Sequence, residues 1–195
     1  MDISNNYTMK KLNELNNEEL KKVYNVNKKL QNDVINDYQE SEMDYISDVL
    51  EPLKEGLNDW SIGFHQYNYI KINDNELFLN GVIESTKNYG LLDESDKNTM
   101  VLIDNILEKI NILECMDYSN KNYDILENWI DRKIEVIKNM VLESFNSLTA
   151  MDYDYMKEYF IEFYVNERMD INDYYINDNY ELFKHIEYER SYLSA

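Results

Sequence analysis

Glycine occurs four times in this chain, proline once and cysteine once, and there are two histidines and two alanines. Each scarcity closes off a class of protein. So few glycines and prolines leave little for the tight turns of a β-sandwich, for a Rossmann fold or for a glycine-rich phosphate loop. G-x-S-x-G, H-E-x-x-H and paired C-x-x-C motifs are all missing. One cysteine, Cys115, rules out an internal disulfide framework and suits a reducing cytosol. No apolar run approaches the roughly 20 residues of a membrane span, and the amino terminus lacks the apolar core of a secretion signal. The expectation is a cytoplasmic protein that is not an enzyme, with no catalytic residue, cofactor or metal.

Acid is abundant. Thirty-nine Asp and Glu against nineteen Lys and Arg give a formal charge of −20, unevenly spread. Residues 1–32 carry six lysines and four acids, so residues 33–195 hold a net −22. Such a field repels nucleic acid and anionic membrane and steers basic partners inward. At 44% hydrophobic and 13% aromatic the chain can still bury a core, unlike a disordered acidic tail. Asparagine (27) and tyrosine (18) follow AT-rich codons, which indicates a low-GC bacterium or one of its mobile elements.

Helical periodicity dominates. Asn16 and Glu19 form a capping box that opens a segment expected to run unbroken into the acidic helix and to end near Leu50, before Pro52. Trp60, Ile62 and Phe64 alternate, and Tyr67 to Ile72 alternate again, so residues 60–72 read as a short β-hairpin or an ordered aromatic loop. Asn73 or Asp74 caps a helix that stops at Gly90; Ser95 and Asn122 cap the two strongest core helices, joined as a hairpin. After Met151 the composition turns rich in tyrosine and acid, with helices expected near 153–166 and 178–193. The whole reads as one mainly α domain of six to seven helices, divisible into a helical core (1–150) and Tyr/Asp-rich C-terminal helices (151–195).

Several residues invite chemistry. His65 in its aromatic stretch reads as a packed loop residue, and Cys115 as a core thiol. Glu181, His185 and Glu189 share one helical face, but no second helix supplies a matching E-x-x-H, so a solvated stripe outweighs a metal half-site. Residues 170–181 echo an EF-hand loop, yet Tyr174 and Tyr175 stand where a ligand and the turn glycine belong. Glu42 falls on an apolar helix face between Tyr38 and Tyr45, where a carboxylate must find a partner or shift its pKa upward.

The strongest pattern is Asp33, Asp37, Glu40, Asp44 and Asp48, within roughly an 80° arc of an α-helix. Glu51 extends the stripe if the helix survives Pro52. No basic residue occurs between Lys29 and Lys54 to neutralise it. Val34, Ile35, Tyr38, Tyr45, Ile46, Val49 and Leu50 line the opposite face. Asp152, Asp154, Glu158 and Glu162 make a second acidic patch, with Tyr153, Tyr155 and Tyr159 for packing contacts. In size, charge, poverty of glycine and cysteine, and this acidic stripe, the chain resembles the small acidic antirestriction and anti-CRISPR proteins of phages and plasmids, which are DNA mimics. The resemblance implies an inhibitor that occupies the basic groove of a nuclease or its effector complex and binds no nucleic acid itself. The competing expectation is an adaptor or immunity-type protein that captures one basic partner through residues 151–195.

Overall fold

The structure, a computed structural model, describes residues 10–93, 97–165 and 174–184. In chain order its elements are β1 (Lys10–Lys11), α1 (Asn17–Val26), α2 (Lys28–Leu50), β2 (Leu57–Ser61), β3 (Tyr69–Ile72), α3 (Asn75–Tyr89), α4 (Lys97–Glu114), α5 (Tyr123–Leu148), α6 (Tyr153–Tyr159), β4 (Tyr174–Ile176) and β5 (Leu182–Lys184). Six α-helices among the described residues make the fold mainly α, and the expected β-hairpin is present. The chain forms two compact units, one from residues 1–40 with 151–195, the other from residues 41–150.

In the first unit the capping box is real: Asn16 Oδ1 accepts the Glu19 N–H at 3.0 Å, and Glu19 Oε2 accepts the Asn16 N–H at 3.1 Å. Helix α1 buries Leu20, Val23 and Tyr24. An unbroken run into α2 is excluded, because Asn27 is extended (φ −101, ψ 90). Its side chain explains the break. Asn27 Nδ2 donates to the carbonyls of Val23 (2.7 Å) and Tyr180 (2.9 Å), while its Oδ1 accepts the Leu182 N–H at 3.1 Å.

The C-terminal segment differs from the sequence expectation. Helix α6 gives way to a π-helical turn over Phe160–Tyr164. The helix expected near 178–193 is a strand over Leu182–Lys184; residues 185–193 lie outside the described ones. Asn177 causes the reversal. Its Oδ1 accepts the N–H groups of Asn179 and Glu181, both at 3.0 Å, and Tyr180 takes φ 63. This side-chain turn competes with helix. The resulting hairpin pairs antiparallel with β1, Lys10 opposite Ile176, giving sheet order β1-β4-β5.

In the second unit Pro52 ends α2 at Leu50, and the chain continues as a 3₁₀ helix over Glu51–Gly56. Helix α3 begins at Asp74, whose side chain accepts the Leu77 N–H, and ends at Gly90 in the left-handed region (φ 69). Ser95 lies outside the described residues. Asn122 occupies the N-cap position of α5 but its side chain makes no capping bond, because the residue is helical in backbone (ψ −5). The core joins Ile46, Val49 and Leu53 to Phe78, Leu79, Ile103, Ile106, Ile137 and Phe145.

The β2–β3 hairpin pairs Trp60 with Ile70 and Ser61 with Tyr69. Buried Asn68 fixes its connection to the end of α5: Oδ1 accepts the Gly63 N–H at 2.9 Å, and Nδ2 donates to Asn146 (3.0 Å) and Thr149 (2.9 Å). Asn68→Ala strands a buried backbone donor, so a loss of about 2 kcal/mol is expected in urea melts.

Candidate acidic interface

Helix α2 carries all five acids of the stripe, Asp33, Asp37, Glu40, Asp44 and Asp48, and each position follows from the helical repeat. Asp33, Glu40, Asp44 and Asp48 are exposed, and Asp37 is half-buried. On ideal geometry the fifteen steps from Asp33 to Asp48 cover about 22 Å. The apolar face is largely as expected: Val34, Tyr38, Ile46, Val49 and Leu50 are buried and Ile35 half-buried. Tyr45 departs from it. It is exposed, and its hydroxyl donates to the Tyr89 carbonyl at 2.7 Å.

Asp33, Glu40, Asp44 and Asp48 have no ion-pair partner among the described residues. Asp37 accepts a hydrogen bond from the Tyr159 hydroxyl at 2.9 Å. Glu51 stands apart. Past Leu50 the backbone is 3₁₀, which turns residues at a different pitch, and Glu51 pairs with Lys54.

The second patch is already engaged. Asp152 caps α6 by accepting the Asp154 N–H at 2.8 Å. Asp154 binds Lys157 at 2.8 Å, and that ammonium holds the Asp154 carboxyl below its usual range. Glu158 meets Lys21 at 3.1 Å, and both Glu158 and Glu162 are exposed. Tyr155 and Tyr159 stack edge-on against Tyr38, with ring centroids 5.6 and 5.2 Å apart. The side chain of Tyr153 lies outside the description. Tyr155 and Tyr159 are therefore largely packing residues of the first unit, with Tyr155 still half exposed (49%).

Other sequence candidates resolve differently. Cys115, expected in the core, is exposed, because it follows the last turn of α4 where the helical hairpin extends past the core. His65 sits exposed in the β2–β3 connection with φ 58. Glu181 precedes a strand, which breaks the helical stripe it was to share with His185 and Glu189; those two lie outside the described residues. The EF-hand echo fails as well, since Tyr174–Ile176 is a strand and residues 170–173 are outside the description. Among the described residues no cluster of His, Cys, Asp or Glu is placed to hold a metal ion, and no helix is long and apolar enough to cross a membrane.

Glu42 has no hydrogen-bond partner among the described residues, and burial pushes its carboxyl up from the ordinary 4.5. The folded chain therefore keeps this proton at a pH where the unfolded chain has lost it. The contribution of Glu42 to stability is greatest below the unfolded pKa and falls as pH rises through the folded one. Glu42→Gln is expected to raise the melting temperature slightly at neutral pH, with the difference vanishing in acid.

Comparison with protein-family models, curated proteins and solved structures finds no match to this chain.

Proposed function

We propose that this protein is a non-catalytic inhibitor that presents a DNA-like acidic surface to a basic nucleic-acid-processing protein. The host-defence nucleases of a bacterial cytoplasm, CRISPR effectors or restriction–modification complexes, are the target class. One observation carries the reading: four exposed carboxylates lie along one face of α2 with no cation paired to them among the described residues. Like charges at this spacing repel and weaken an isolated helix by a few tenths of a kcal/mol per pair, so the arrangement costs stability that a bound cationic groove would return.

The spacing supports the reading. Each DNA strand carries a phosphate about every 3.4 Å. One acid per helical turn recurs about every 5–6 Å, sparser but of the same order. A Lys/Arg groove would accept the helix in place of a strand, and inhibition would follow from occlusion, with no bond made or broken. Capture through the tyrosines of residues 151–195 has less support, because Tyr155 and Tyr159 already pack on Tyr38.

The test is capture from a bacterial host lysate on the immobilised full chain, at low and high salt, with and without competing duplex DNA. Recovery of a nuclease or its effector complex, lost at high salt and displaced by DNA, is the expected result. Recovery of only DNA-insensitive proteins would overturn the proposal.

A further inference from the structure

A second surface lies on the 41–150 unit, at the tip of the hairpin made by α4 and α5. Core packing of these helices uses Ile103 and Ile106 on one and Ile130, Ile134, Ile137, Val141 and Phe145 on the other. Toward the tip Leu113, Leu126 and Trp129 still pack against that core on one side, while other apolar residues face outward. Ile125 is 68% and Ile112 39% exposed, Cys115 is exposed, and Met116 and Trp129 are half-buried. Three open clefts converge here and all include Met116. The largest, about 580 Å³, is lined by Ile112, Cys115 and Met116; another is floored by Ile125, Leu126 and Trp129.

The rim decides what can sit there. Residues 108–131 hold six acids (Glu108, Glu114, Asp117, Asp124, Glu127 and Asp131) and two lysines. Lys109 is already bound to Glu108 at 3.2 Å. A second copy would bring net −4 against net −4 at this tip and −20 against −20 overall. An uncharged apolar segment would bury those acids without partners, which is unfavourable.

We propose that the α4–α5 tip docks a basic amphipathic helix of a partner protein, its apolar side chains entering the clefts around Met116 and its lysines or arginines meeting the acidic rim. This is helix-in-groove recognition, with aliphatic anchors supplying affinity and the rim choosing the sign of the partner. It stands independently of the α2 reading, since it uses other residues and needs apolar contact as well as charge.

The test uses full-length protein carrying Trp60→Phe, so that Trp129 is the sole tryptophan, and two synthetic helical peptides. One repeats leucine and lysine at helical spacing; the other replaces each leucine by serine and keeps the charge. At physiological salt the leucine peptide is expected to give a saturable shift in Trp129 emission, and the serine peptide none. Ile112→Ser with Ile125→Ser should weaken that binding about tenfold or more, as loss of two apolar anchors predicts. Both sites are surface positions, and an unchanged circular-dichroism melt checks the fold. Equal binding by the two peptides, or by the double variant, would overturn the proposal. So would a dimer in sedimentation that the double variant abolishes, since the tip would then be covered by a second copy.

Discussion

Replacing Asp33, Asp37 and Asp44 and Asp48 by Asn, and Glu40 by Gln, is expected to weaken capture of the target about a hundredfold or more, while the fold holds. In water, opposite charges about 4 Å apart attract by about 1 kcal/mol. Pairs at the four exposed positions, partly screened, account for a loss of that size, since each ~1.4 kcal/mol is tenfold. The salt dependence of binding should flatten at the same time. Folding should not suffer. Asn at position 37 still offers an oxygen to the Tyr159 hydroxyl, and removing like charges at i, i+4 relieves repulsion along α2. The measurement is affinity for the captured protein at two salt concentrations, beside a thermal melt. Unaltered affinity in a variant that melts normally would sink the mimicry reading, whereas parallel loss of affinity and melting would point to misfolding instead.

The second large effect concerns Gly81. A Cβ built there lies 2.8 Å from the Pro52 carbonyl carbon and 2.9 Å from Leu53 Cα, both rigid backbone. Gly56 faces the same crossing from the other side, with a built Cβ 2.5 Å from Phe78 Cα. Helix α3 thus passes the 3₁₀ turn over Glu51–Gly56 backbone to backbone, and only glycine allows it. Gly81→Ala is expected to cost about 3 kcal/mol, at the upper end of overpacking effects, because neither backbone can yield without moving Leu53, Phe78 and Leu79 in the core. Gly90→Ala makes the contrast. Nothing lies within 4 Å of its Cβ, and only the left-handed φ of 69 is at stake, so about 1 kcal/mol is expected. Paired denaturant melts of the two variants separate close approach from backbone conformation. Equal losses would remove the distinction.

How far the chain can be read without its structure varies by element. The capping box at Asn16, the Asp74 cap and the Gly90 stop were all legible, because each is a local bond or a local backbone preference. The break at Asn27 was not. Its side chain bonds Tyr180 and Leu182, more than 150 positions away, and no window of sequence contains that partner. Residues 182–184 misled for the same reason, since the C-terminal hairpin is paired with β1 at the other end of the chain. The second acidic patch also looked stronger than it is. Lys21 is remote from Glu158 in sequence and beside it in space.

What the sequence carried on its own was a mainly α fold, an acid stripe held to one face of α2 by the 3.6-residue repeat, and a surplus of negative charge. Those properties depend on period and composition, which any stretch of chain carries within itself. Folding in three dimensions set which carboxylates have no cation among the described residues, which tyrosines are taken up in packing, and that Ile112, Cys115 and Ile125 face outward at the hairpin tip. One cause is common to all three: neutralisation, packing and exposure are properties of neighbours in space, and those neighbours come from distant parts of the chain or, at the tip, are missing from the helix faces that the core leaves uncovered.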